Sequence, residues 1–169
     1  MLATGLIKKR LWLPLLAVTL AGCGLTQSIT DGTKSAFSAV FYKKIKVLHL
    51  DFTAREALNV DGRESGSLSE PLVIRVYQLR DRKLFDRTVY QQLLKEGDVV
   101  LKDDLLAVRD VVLKPGGDAS LDMPLEADAE YVAVAALFRH PDMEKNSWRR
   151  VLARGDLDPD KPRVLEAGS

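Results

Sequence analysis

The sequence predicts a mainly β protein: a two-sheet β-sandwich of about six to eight short strands with one small helical insert. Three observations lead there. After residue 45, apolar residues recur at every second position, as in Leu48, Leu50 and Phe52 and again in Ala119, Leu121, Met123 and Leu125. That is the period of a strand with one buried face. The run 72–79 (LVIRVYQL) is rich in β-branched and aromatic residues, as strands are, and 131–138 (YVAVAALF) is apolar on both faces, as a central strand of a sandwich would be. Turn signals at Asp61-Gly62, Ser65-Gly66 and Pro115-Gly116-Gly117 cut the chain into short pieces.

Residues 1–22 stand outside that fold. A basic patch (Lys8, Lys9, Arg10) is followed by an apolar run over 11–21 and the small residues Ala21 and Gly22, the layout of a secretory signal peptide. The run is too short for a membrane span, which needs about 20 apolar residues, and it gives way to polar Thr26, Gln27 and Ser28. Its end, Leu20-Ala21-Gly22-Cys23, resembles the bacterial lipobox, which makes Cys23 the lipidated first residue of the mature chain. Two acyl chains already hold a protein stably on a membrane, and bacterial lipoproteins carry three. Gly24 follows where proteobacterial lipoproteins kept at the inner membrane have Asp, so the expected location is the outer membrane, facing the periplasm. Removing residues 1–22 takes three of the 25 basic residues and none of the 24 acidic ones, so the charge falls from +1 to −2.

The remaining elements follow in order. Residues 23–44 are expected to form a lipidated tether with room for one short helix. Positions 24–34 are polar and could span about 35 Å when extended. Ala36, Phe37, Val40 and Phe41 have helical spacing, with Lys43 and Lys44 suited to a helix C-terminus. The sandwich domain is expected over 45–155. Its first strand carries Leu48, Leu50 and Phe52. Residues 53–70 (TAREALNVDGRESGSLSE) are polar and longer than an ordinary connection, and long ordered loops often carry function. Pro71 closes the loop and the second strand, 72–79, follows. Over 81–104, Leu84, Phe85, Val89, Tyr90, Leu93 and Leu94 recur at intervals of helical type, which marks the helical insert. The second half of 105–113 is expected to be a strand stopped by Pro115. Strands are also expected at 118–125, 131–138 and 147–152, the last with Trp148. Residues 156–169, with Pro159, Pro162 and Gly168, are expected to be an extended C-terminal tail.

The chemistry the sequence can support is limited. One cysteine excludes a disulfide framework and any multi-cysteine metal site, and two distant histidines leave little for a His-rich centre. The near-zero charge gives no reason to expect nucleic acid. His49 and Asp51 share a strand face and could orient an imidazole, but no nucleophile motif accompanies them. Asp156, Asp158 and Asp160 open like a calcium loop. They lack its glycine and glutamate, with Lys161 and Ala167 at those positions. Asp103-Asp104 and the trio Glu126, Asp128 and Glu130 could pair carboxylates, yet each lies beside a turn or strand end and reads as solubility charge. Arg149-Arg150 is too small a cluster for a polyanion. There is no phosphate-binding glycine motif. The expectation is no catalytic residue, no metal and no cofactor other than the covalent lipid on Cys23.

An ordered series of motifs carries a family resemblance. LVIRVYQLRD (72–81) is followed by Phe85, Tyr90 and Leu93, then DDLLA (103–107), LKPGG (113–117), YVAVAALFR (131–139) and Trp148-Arg149. The series, with the lipobox in front, resembles the type VI secretion system outer-membrane lipoproteins of the SciN/TssJ family over about 46–150. The resemblance implies a transthyretin-like β-sandwich held to the outer membrane. It implies binding to the periplasmic C-terminal region of a large inner-membrane protein (TssM type), which associates with a TssL-type protein. It also implies that the loop between the first two strands is the contact region. By position that loop is 53–70, and within it the contact candidates are Asn59, Asp61, Gly62, Arg63, Glu64 and Ser65. Arg75, Gln78 and Arg139 look like family framework.

Three functions follow as expectations. The first is a docking lipoprotein of a secretion complex, with the loop held out on a rigid scaffold. The second is a ligand- or peptide-binding, chaperone-like lipoprotein, which a deep apolar pocket would favour. The third is a tethered hydrolase, which needs His49, Asp51 or the carboxylates gathered in one cleft.

Overall fold

The computed structural model describes residues 45–61 and 68–168. The signal peptide, the lipobox (Leu20, Ala21, Gly22, Cys23) and the tether lie outside the described residues, as do loop positions Gly62, Arg63, Glu64 and Ser65. The alternation beginning at residue 45 produces β1 (Val47–Ala54). It pairs antiparallel with β4 (Asp118–Pro124) and parallel with β7 (Arg163–Ala167), in the order β4-β1-β7. A second, antiparallel sheet has the order β3-β2-β5-β6, from β3 (Leu105–Leu113), β2 (Leu72–Leu79), β5 (Tyr131–Ala136) and β6 (Arg149–Ala153). Leu48, Leu50 and Phe52 face Leu72, Ile74, Val76, Val132 and Val134 in one buried cluster. Each such side chain contributes about 1.5–3 kcal/mol on leaving water.

The insert explains why β5 and the end of β2 bury side chains on both faces. Helices α1 (Lys83–Arg87) and α2 (Tyr90–Val100) cover the outer face of the four-stranded sheet. Phe85, Tyr90, Leu93 and Leu101 pack there on Tyr77, Leu79, Ala133, Ala135 and Trp148. The small Ala133 and Ala135 leave room for the aromatic rings. Gly97 is required by close approach, because a Cβ at that position would stand 2.5 Å from the Tyr77 hydroxyl. One polar residue, Gln78, is fully buried. It donates to the Pro124 carbonyl (2.8 Å) and accepts from the Glu126 amide (2.7 Å), tying the two sheets at one end.

The structure corrects two expectations. The strand after the helices occupies all of Leu105–Leu113, since it pairs with β2 from Leu72 to Leu79, with an irregularity between Gln78 and Leu79 that absorbs the change of register. Residues 156–169 are no extended tail. After a 3₁₀ turn (Arg154–Asp156) the chain crosses over and Arg163–Ala167 returns as β7 beside Leu50–Ala54. Pro159 and Pro162 lie in the crossover, where they remove no ladder hydrogen bond. The sandwich therefore extends past residue 155 to Ala167.

Candidate functional site

Strand direction separates the molecule into two ends. β1 starts next to Ile45 and spans about 26 Å to the loop after Ala54, at about 3.3 Å per residue. At the Ile45 end, the Arg154 guanidinium donates to four carbonyls, those of Glu126 (2.9 Å), Ala127 (3.1 Å), Ala129 (2.8 Å) and Ile45 (2.9 Å). This clip fixes the β4–β5 turn to the first described residue. The opposite end gathers the β1–β2 loop, the β3–β4 turn, the β5–β6 loop and the end of β7.

The base of the β1–β2 loop is built with unusual care for a polar segment. Where β1 ends, the Ala54 amide donates to Gly117 O (2.9 Å), the Arg55 amide to Ala167 O (3.2 Å), and the Gly116 amide to Arg55 O (3.1 Å). Gly116 has φ +64 and lies against Glu56, a conformation and an approach that suit glycine. Leu58 is fully buried and anchors the loop to the core. Asn59 adopts a left-handed backbone (φ 52), which asparagine tolerates better than most residues. Its amide donates to Pro71 O (3.2 Å) and accepts from the Arg139 amide (2.9 Å). Asp61 Oδ2 pairs with His140 Nε2 at 2.9 Å, and Arg139 pairs with Glu70 at 2.9 Å. Ser69 donates to Glu56 O (2.6 Å). The loop is thus clamped by the residues that follow β5. Those residues are themselves ordered by Asp142, whose carboxylate accepts from the Glu144 and Lys145 amides (3.0 and 2.9 Å) and is held below the usual carboxylate range chiefly by the Lys145 amide.

This geometry divides the loop candidates. Asn59 and Asp61 are 6% and 9% exposed, with their side chains taken up inside the fold. They position the loop rather than present themselves to a partner. Leu68, which the sequence reading passed over, is 81% exposed, and Met143 on the neighbouring β5–β6 loop is 51% exposed. Leu68 had a visible signal: it is the one aliphatic residue in the polar stretch 61–70. The clamp formed by Arg139 and His140 had none, because it depends on residues about 80 positions apart. Arg75 forms a two-pronged cross-strand pair with Asp110 (2.7 and 2.9 Å).

His49 and Asp51 border one cleft but are not paired with each other. His49 Nδ1 pairs with Asp122 across the strands at 2.5 Å, not with Asp51, which accepts from Ser120 Oγ at 2.7 Å. These four residues and the 159–162 crossover border a shallow cleft of about 270 Å³, but no serine–histidine hydrogen bond is made there. Asp158 caps the Asp160 amide (2.8 Å) in a turn, and Ala167, the position a calcium loop would fill with glutamate, is in β7. No group of three metal-binding side chains occurs among the described residues.

A small two-sheet sandwich with helices on one sheet and a braced loop at one end defines the class of scaffold. Comparison with known proteins makes the assignment specific. Residues 46–167 match the family described as "T6SS-SciN: Type VI secretion lipoprotein, VasD, EvfM, TssJ, VC_A0113", and the chain belongs to that family. A chain of the structure described as "T6SS protein TssM C-terminal domain (869-1107) from EAEC" is 44% identical. There 73% of this chain covers 93% of that one, with a TM-score of 0.65. A chain of a "Type VI membrane complex" is also 44% identical, with coverage of 74% and 94% and a TM-score of 0.68. Serratia marcescens Lip, described as a membrane-bound component of the type VI secretion system, is 26% identical with coverage of 73% and 89% and a TM-score of 0.59. No curated protein matches the chain. The chain is therefore a type VI secretion lipoprotein, with the mainly β sandwich expected from its sequence.

Proposed function

We propose that this lipoprotein is anchored in the outer membrane through a lipid on Cys23, faces the periplasm, and docks the periplasmic C-terminal region of a TssM-type inner-membrane protein with its braced loop end. That protein associates in turn with a TssL-type protein. The observation that carries the reading is the direction of β1: the described domain begins at Ile45, and the base of the β1–β2 loop lies at the opposite end of that strand. A tether at one end and a clamped loop at the other suit a protein that holds two structures apart and together. The relatives support the partner. The matched chain of the TssM structure is shorter than this 169-residue protein. It is thus shorter than a segment running from 869 to 1107, and so is a companion of that segment.

In this reading the contact residues are Gly62, Arg63, Glu64 and Ser65 of the loop, together with exposed Leu68 and Met143. Asn59 and Asp61 hold the loop in place. The protein acts by binding and carries out no reaction of its own. Two variants separate the parts of this reading. Cys23→Ser leaves the domain folded and releases it from the outer-membrane fraction; unchanged fractionation would overturn the anchor. Exchanging the loop charges, Arg63→Glu with Glu64→Arg, weakens capture of the TssM-type C-terminal region without lowering the melting temperature. Full capture by a protein lacking residues 62–67 would overturn the loop assignment.

A further inference from the structure

The two sheets close on one side through the tight β3–β4 turn and stay open on the other. On the open side β6 pairs with β5 alone and β7 with β1 alone. Between these two strand edges lies a groove of about 640 Å³. Its floor is apolar, from Phe52, Ile74, Val134 and Leu165.

The groove is charged in one sense. Arg55, Lys145, Arg149, Arg150 and Arg163 border it, against the single carboxylate of Glu166. Three of the cations are already engaged. Arg55 pairs with Glu166 at 2.6 Å, Lys145 with Asp142 at 3.4 Å, and Arg149 lies 5.0 Å over the Trp148 ring and donates to the Phe85 and Thr88 carbonyls. Arg150 and Arg163 form no ion pair among the described residues. The register fixes where these two project. Arg150 stands opposite Val134, and Arg163 opposite Leu50, and both partners face the core. Arg150 and Arg163 therefore stand on the core-facing side of the two opposing edges and border the groove with like charge.

We propose that this groove is a second docking site, which takes an extended acidic segment of a partner protein. The segment adds as a strand to the β6 or β7 edge and places carboxylates against Arg150 and Arg163. Main-chain hydrogen bonds to an open edge supply affinity, and side-chain pockets on alternate positions supply selectivity. Charges that point inward at a sheet edge keep neutral and basic strands away. They admit a strand that carries the opposite charge on that face, since facing charges set partner choice. The same charges oppose a second copy of this chain, whose own β6 edge would bring Arg149 and Arg150. The two edges are five residues long each, so the occupant is a short strand of similar length. Arg55, the residue after β1, borders the groove, so an occupant there lies beside the loop end and can belong to the protein docked by the loop. The groove stands on its own geometry and does not depend on the loop assignment.

The test uses the full-length lipidated protein in detergent and a fluorescein-labelled decapeptide of alternating glutamate and valine, read by fluorescence anisotropy. The expected result is saturable binding that weakens with added salt. Affinity falls at least tenfold in Arg150→Glu/Arg163→Glu and falls less in the neutral Arg150→Gln/Arg163→Gln, both with unchanged melting temperature. The peptide in which lysine replaces glutamate does not bind, and the Arg63→Glu/Glu64→Arg loop variant binds the acidic peptide normally. Equal binding of the acidic and basic peptides, or equal affinity in the wild type and the Arg150→Glu/Arg163→Glu variant, would overturn the proposal. So would a dimer by sedimentation that the arginine variants dissolve, since it would give the groove to a second copy.

Discussion

A methyl group added at Gly97 would put its carbon 2.5 Å from the Tyr77 hydroxyl oxygen, and Tyr77 is fully buried in the cluster under the helices. The ring cannot swing away without disturbing Phe85, whose centroid is 5.9 Å from its own. Alanine is the better helix former by about 1 kcal/mol, but overpacking costs about 1–3 kcal/mol. Gly97→Ala is therefore expected to lower stability, by up to about 2 kcal/mol, in urea titration; a stabilised variant would show that the helix can shift. The buried tyrosines also set an alkaline limit. Burial raises the Tyr77 and Tyr90 pKa values above the ordinary value of about 10, and Tyr90 donates to the Phe138 carbonyl. A raised folded-state pKa contributes stability that is present below the unfolded pKa and is lost as pH rises through the folded one. Stability is thus expected to be level up to about pH 9 and to fall above about pH 10. Tyr90→Phe flattens the alkaline fall, and denaturant melts across that range check it.

At the scale of elements, β7 is the piece whose removal tells most. It supplies the second neighbour of the central strand β1, places Leu165 and Ala167 against the core, and receives the Arg55 amide at the loop base. Truncation after Lys161 is expected to lower the melting temperature by several degrees, since a loss of about 1 kcal/mol shifts it by about 2–8 °C in domains of this size. It should also weaken the loop's hold. Thermal melts together with hydrogen exchange at residues 55–59 check this. A truncated chain that melts like the wild type would mean that β7 is only laid against the sheet. The sequence concealed β7 because its two prolines resemble the punctuation of a coil. Both lie in the crossover, and the strand itself, Arg163–Ala167, is too short to show a period.

For the whole molecule, the opposition of the two ends predicts a polar footprint. If the loop end docks the partner, hydroxyl-radical labelling of the assembled complex should be suppressed at Leu68 and Met143. Val47, next to the tether and 39% exposed, should label as it does in the isolated protein. Equal suppression at Val47 and Leu68 would mean that contact is not confined to one end. Suppression at Val164, 58% exposed on β7, would extend the footprint to the open edge beside the groove.

Apart from β7 and the first half of β3, the elements were legible from local pattern. The two-residue period of β1 and β4, the apolar run of β5 and the helical spacing over 81–104 each follow from how one segment buries one face, which nearest neighbours in the chain decide. The family motifs were legible for the same reason: LVIRVYQL is β2, and YVAVAALF holds β5, which ends at Ala136, and strands buried on both faces have little freedom to vary in character. What the sequence could not show was decided by pairs far apart. Asn59 reads as a loop residue and a contact candidate; its two hydrogen bonds, to Pro71 and Arg139, turn it into a brace. The spacing offers Asp51 as the partner of His49, but antiparallel pairing puts Asp122 opposite it. Arg150 and Arg163 are unremarkable in their own segments, and they face one groove only because β6 and β7 end up as the open edges of two different sheets. Long-range register brings these groups together, and register is set by packing of the whole core, so no local stretch of sequence contains it.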